Sequence, residues 1–224
     1  MAEQFKWINW YTEFATKLLP YKDNRKELIR KIQRVFESIG MKMPKLEKDG
    51  EPFDIDTFTI FGLFNKGITE ANRIAIIRGI GKEFAVEAEV PETFEGIPVL
   101  NNLKATFYFF KDDRGEGDID NLWSVFEAAL RLADTDSAEN RQALCAAYDR
   151  ALKQMGIRWN ITIGLYWIRP YSFINLDSRN RSYVQKPGKM PAGVVADVAA
   201  MQNVPTADKY MQLRDTVQQQ NSQS

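Results

Sequence analysis

Histidine is absent from this 224-residue chain, and cysteine occurs once. Without imidazole, Ser-His-Asp and Cys-His nucleophile pairs are excluded, and so are the zinc sites that use histidine. The single cysteine, Cys145, makes neither a zinc knuckle nor a redox pair nor an intrachain disulfide, which suits a reducing compartment. It lies in the apolar run 143–147, where a buried helix position is expected. No apolar stretch approaches the ~20 residues that span a bilayer. The start, Met1-Ala2-Glu3-Gln4, lacks the basic-then-apolar pattern of a secretory signal. A cytoplasmic protein with no membrane partner is the expectation.

Other absences concern chemistry. No Gly-x-x-x-x-Gly-Lys-Ser/Thr loop occurs. The nearest fragment, Arg78-Gly79-Ile80-Gly81-Lys82, is too short, lacks the hydroxyl for magnesium and reads as a glycine-marked helix end. No Asp or Glu is followed two residues later by Lys, a spacing common in metal-dependent nucleases. The acidic pairs Asp54/Asp56, Asp112/Asp113 and Asp118/Asp120 could hold magnesium in principle. All three lie at expected helix starts or turns, where a carboxylate more often caps the backbone. The chain is therefore expected to perform no catalysis, with no catalytic residue, no metal and no cofactor of its own.

Net charge is missing too: 30 basic residues balance 30 acidic ones. A whole-molecule attraction to nucleic acid is excluded, and any such binding must come from a local patch. The balance is uneven along the chain. From Glu83 to Asp120 ten acidic residues face only Lys104, Lys111 and Arg114. From Arg169 to Lys189, Arg169, Arg179, Arg181, Lys186 and Lys189 face Asp177 alone. That distribution allows one basic face without requiring it.

What is present is the composition of a folded globular chain, 44% hydrophobic and 27% charged,. Its apolar residues recur mostly at helical spacing. Phe5, Ile8, Tyr11, Ala15 and Leu18 form one stripe that Pro20 closes. Leu28, Ile29, Ile32, Val35, Phe36 and Ile39 form another, begun by Asp23 or Asn24 and stopped by Gly40; its Lys- and Arg-rich face reads as solvated surface. After a loop from Met41 to Phe53, Asp56 opens a short apolar segment to Phe64. Thr69 caps a helix reaching Phe84. Asp118 precedes a clear stripe through Ala133, and Ser137 begins another that ends at Gly156. The run Ala105 to Phe110 has strand-like composition, so a short hairpin fits there. Trp159 to Ile168 alternates as a strand would, yet Asn160 would make a good N-cap and Pro170 a stop, which favours a helix. Asp177 caps one more helix. The fold class expected is mainly α, a multi-helix globular domain with room for a small β-hairpin in the middle. The expected organisation is a domain over 1–186 with a sub-boundary near 86–104, a linker with a short helix over 187–217, and a disordered polar tail over 218–224.

One segment combines aromatic rings with guanidinium groups: residues 164–170 (GLYWIRP), followed by 175–181 (NLDSRNR). These are the materials that stack on a base and hold phosphates. The structural alternative is as economical: Trp167 in the core, Arg169 paired with Asp177, and Asp177 capping its helix.

At these residues the sequence becomes familiar. Residues 61–69 (FGLFNKGIT), 96–102 (GIPVLNN), 118–123 (DIDNLW), 159–170 (WNITIGLYWIRP) and 176–181 (LDSRNR) together resemble the region preceding the AAA+ motor in McrB-like proteins. Those are the nucleotide-hydrolysing subunits of modification-dependent restriction systems. The likeness runs from about Trp10 to Leu213. It implies DNA restriction and host defence, with a motor driven by GTP or ATP with magnesium and a separate McrC-like nuclease subunit. Domains ahead of such a motor commonly recognise DNA, in some members by flipping a modified base. This chain lacks the Walker loops, so it is expected to be a fragment or an expressed domain, and nucleotide hydrolysis is not assigned to it. The resemblance makes a DNA-recognition module the leading expectation, with Trp167, Arg169, Tyr171, Arg179 and Arg181 on the nucleic acid and Asn101 and Asn102 offering amides to a base edge. The alternative is an adaptor that binds another protein of the same system.

Overall fold

The structure is a computed structural model that describes residues 5–222 apart from 49, 51, 53, 103 and 104. Its α-helices are α1 (Trp7–Leu18), α2 (Arg25–Ser38), α3 (Thr57–Phe64), α4 (Glu70–Glu83) and α5 (Asp118–Asp134), then α6 (Ala138–Ala151), α7 (Asn160–Ile168), α8 (Ser178–Val184), α9 (Ala192–Ala200) and α10 (Ala207–Ser222). A 3-10 turn, Leu19–Tyr21, joins α1 to α2. Four of the expected caps hold: Asp56 accepts from the N–H groups of Phe58 and Thr59, Thr69 from that of Asn72, Ser137 from that of Asn140, and Asp177 from that of Asn180. Asn24 occupies the cap position of α2 without a side-chain bond. Asn160 is the first residue inside α7 rather than its cap, which falls on Trp159.

Two short helices occupy the centre because they are apolar on every side, and such a helix must be buried. Every residue of α3 is buried, and so are seven of the nine in α7. They approach each other closely at Gly164, where an added Cβ would lie 2.6 Å from the Phe58 ring. One turn further along the same face, α3 meets the segment around Ala105, whose carbonyl oxygen would stand 2.2 Å from a Cβ at Gly62,. The amphipathic helices α1, α4 and α5 lay one face each on this pair. Trp10, Tyr11 and Phe14 of α1 interleave with Phe61 and Phe64 at ring-centroid separations of 5.2–6.3 Å. Burying each such ring stabilises the fold by roughly 1.5–3 kcal/mol.

Three expectations are corrected. The hairpin near Ala105 to Phe110 does not form: Phe107 and Tyr108 are buried, and the Phe107 N–H donates to Thr59 Oγ1 of α3 rather than to a partner strand. Among the described residues the strand-like pairing is a lone parallel bridge between Lys66 and Leu100. The stretch 187–217 holds the expected short helix, α10, but does not run as a linker, because α9 buries Val194 and Val198 and α10 buries Ala207, Tyr210, Met211 and Leu213. Tyr210 stacks on Tyr148 of α6, and the buried Arg214 binds Asp136 and Asp215. The tail is helical as far as Ser222, since α10 continues through it; residues 223 and 224 lie outside the described residues. Cys145 does sit on a helix, α6, but is only part-buried.

Candidate nucleic-acid interface

Trp167 is the first of the expected contact residues to be reassigned. Its side chain is 0% exposed. The ring stacks on Phe61 at 6.3 Å and meets Phe107 edge-on at 6.1 Å, while its indole N–H donates to the Pro98 carbonyl at 3.0 Å. No ligand reaches it without unpacking the centre of the molecule. Arg169 also turns inward. It donates to the Thr12 and Ile168 carbonyls at 3.0 and 2.8 Å and to Thr16 Oγ1 at 3.0 Å, tying the end of α7 to α1. The pairing with Asp177 foreseen for it is replaced by these bonds.

Asn102 donates to the Gly67 carbonyl at 3.1 Å, and the neighbouring Leu100 N–H donates to the Asn65 carbonyl at 2.9 Å. Asn101 and Asn102 are both exposed on the loop so anchored. Three of the five familiar motifs thus interlock around Phe61, Asn65, Pro98 and Trp167. A fourth does similar work at Trp123, whose indole N–H donates to the buried Ile55 carbonyl. In this chain these residues serve packing.

The remaining expected residues lie on an open surface. Leu176 is pinned to α7 by its N–H bond to the buried Thr162 Oγ1 at 3.1 Å, and Asn175 grips Asp177 through two hydrogen bonds. So held, Asp177 accepts from the Asn180 N–H at 2.8 Å and starts α8. Only Val184 of α8 is buried, so the other residues of this short helix face outward or sideways. Arg181 lies across the part-buried Trp159 ring at 3.5 Å from its centroid; burial lowers its pKa from the usual arginine value, against the pull of Asp177. Arg179, Asn180, Ser182 and Tyr183 are exposed. With Ser178 and Lys186 they line a shallow, open depression of about 550 Å³. Lys186 and Lys189 stand 6.0 and 5.6 Å from the Tyr183 ring, which is 45% exposed. Tyr171 is 80% exposed and reaches the rest of the molecule through its carbonyl, which accepts from Gln218.

Charge pairing distinguishes this surface from that of α2. On α2 and the turn before it, Lys22, Arg25, Arg30, Lys31 and Arg34 all pair with carboxylates, mostly from other elements. That helix face is therefore tied down rather than simply solvated. Arg179, Arg181, Lys186 and Lys189 make no ion pair among the described residues. Five of the six carboxylates considered for magnesium are engaged elsewhere. Asp54 and Asp120 hold Arg25, Asp56 caps α3, Asp113 pairs with Lys48, and Asp118 accepts from the Gly115 N–H.

The molecule is thus a mainly helical domain that buries its aromatic motif and presents a small basic face around an exposed tyrosine, Tyr183. It belongs to the family described as a domain of unknown function, DUF8425, whose pattern matches residues 7–224. No curated protein and no solved structure matches it. Of the residues singled out from sequence, Arg179 and Arg181 share this face. Tyr183, Lys186 and Lys189 were missed as site residues, although the charge imbalance over 169–189 already contained both lysines.

Proposed function

We propose that this domain is a nucleic-acid recognition module that contacts its ligand with α8 and the turn after it, and that it serves a motor and nuclease carried elsewhere, as the McrB-like resemblance suggests. The observation that carries the reading is a set of exposed cations, without an ion pair among the described residues, gathered around an exposed ring beside an open depression. A guanidinium and two ammonium groups supply phosphate contacts, and Tyr183 supplies a stacking surface that accepts any base. Arg181, flat against Trp159, lends rigidity to the helix rather than a free hand to the ligand. The module performs no chemistry, and base modification would be read by groups that approach the same face. Cytoplasmic location belongs to the proposal; among the described residues no helix is long and apolar enough to cross a membrane.

With so few cations the binding is weak and strongly salt-dependent. Fluorescence anisotropy with plain and modified oligonucleotides, single- and double-stranded, should give micromolar or weaker affinity at ~50 mM salt. The double variant Arg179→Ala/Lys186→Ala should flatten the log–log salt dependence by about 2. Equal slopes for the variant and the unaltered chain would reject the α8 face.

A second reading, the protein adaptor, is favoured by one observation of its own. Glu87, Glu89, Glu92 and Glu95 are all exposed, and none has an ion pair among the described residues. A strip of that sign repels nucleic acid and suits a basic protein surface.

A further inference from the structure

The segment after α4 is built as an acidic edge. Val86, Ala88 and Val90 pack against the core while Glu87 and Glu89 alternate outward, and the buried Pro91 and Phe94 then set Glu92 and Glu95 on the surface. The backbone there is fixed: the N–H groups of Glu87 and Ala88 donate to the Glu13 carboxylate at 2.8 Å, and the Glu95 carbonyl accepts from the Trp7 indole at 3.0 Å. Exposed apolar groups flank it. Phe5 lies against Gly96, and Val99 is 45% exposed. The α8 face is the counterpart in sign and make-up, with Arg179, Lys186 and Lys189 around Tyr183. Neither face finds its opposite charge among the described residues, and the net charge of the molecule is zero.

We infer that two copies of this chain associate head to tail, the acidic segment 87–95 of one lying on the α8 face of the next. A second copy is the occupant that charge complementarity selects. Four unpaired carboxylates meet three unpaired cations, and each face carries apolar surface to exclude water between them. A junction of one acidic face with one basic face joins unlike surfaces and, unless a ring closes, leaves one free face at each end. The inference shares the α8 face with the proposed nucleic-acid contact but does not depend on it; an acidic strip seated there would compete with phosphates.

Sedimentation velocity on the full chain tests this. At ~50 mM salt the weight-average mass should rise with concentration toward and beyond about twice the monomer, and at ~500 mM, where the screening length falls to a few ångströms, it should return to the monomer. Glu89→Gln/Glu92→Gln and Arg179→Gln/Lys186→Gln proteins should each stay monomeric at low salt. Mixed in equal amounts, they should form dimers and nothing larger, because only one intact junction remains between them. A monomeric unaltered chain at every salt overturns the inference, as does association that either variant retains or a mixture that stays monomeric. The Glu89→Gln/Glu92→Gln protein keeps its basic face, so its oligonucleotide binding reports on the proposed function separately.

Discussion

A tryptophan near two arginines offers opposite possibilities, and residue 167 is resolved by its surroundings rather than its type. On α7 it follows Ile161, Ile163 and Leu165 into the interior, stacks on Phe61 and gives its N–H to Pro98. Trp167→Ala should therefore cost about 3–5 kcal/mol in urea unfolding. The milder Trp167→Phe should keep the unaltered oligonucleotide affinity per folded molecule, since the ring never meets the ligand. A selective loss of binding in a stable Trp167→Phe protein would contradict this placement. The sequence could not decide the matter, because the segment is apolar on all sides and periodicity carries no direction for such a helix.

Two elements show opposite dependences on acid. The carboxyl of Asp56, fully buried at the start of α3, is pushed by burial up to about 6, despite the two backbone N–H groups it accepts. Its folded value lies above the unfolded one, so the stability it contributes is complete below about pH 4 and falls as pH rises through 6. Asp56→Asn keeps an acceptor for the cap and removes the ionisation. The stability of this variant relative to the unaltered chain should rise between pH 4 and 7 by on the order of 3 kcal/mol, measured by urea titration at each pH. A constant difference across that range would show that Asp56 ionises freely. At the other end of the chain, Asp136 is held below the usual carboxylate range, first by hydrogen bonding to Arg141 and then to Arg214, against its partial burial. Its contribution is present above the unfolded value and lost as pH falls through the lower folded one. Arg214, 4% exposed at its side chain, is the centre of that network. Arg214→Ala should cost about 3 kcal/mol and open α10 to proteolysis. An unchanged melting curve would show that α10 docks through its apolar residues alone.

Legibility at the scale of elements followed the strength of local signals. Helices with a periodic stripe and a capping Ser, Thr or Asp were readable, as α4, α6 and α8 show. The segment 105–110 was misread because β-branched and aromatic composition also describes a loop that is buried against a helix. The short helix expected within 187–217 is α10, but α9 was missed, and the stretch was taken for a linker because α10 docks on distant partners, Tyr148 and Asp136, which no local window contains.

At the scale of the whole molecule the governing feature is charge placed rather than charge summed. Zero net charge describes two surfaces of opposite sign, an acidic edge over 87–95 and a basic face on α8. Both were visible in the sequence as runs of one sign. What stayed hidden was which cations find carboxylates in the fold: Lys22 and, on α2, Arg25, Lys31 and Arg34 find them on other elements, up to 105 positions away, and among the described residues those of α8 find none. The central claim, that α8 and the turn after it form the ligand surface, is most directly tested by lysine acetylation footprinting with an oligonucleotide, at protein concentrations where the chain is monomeric. The account predicts that Lys186 and Lys189 lose reactivity on binding while the exposed Lys26, Lys42 and Lys45 keep theirs. Uniform reactivity at all five lysines with the oligonucleotide bound, or protection confined to the last three, would contradict it.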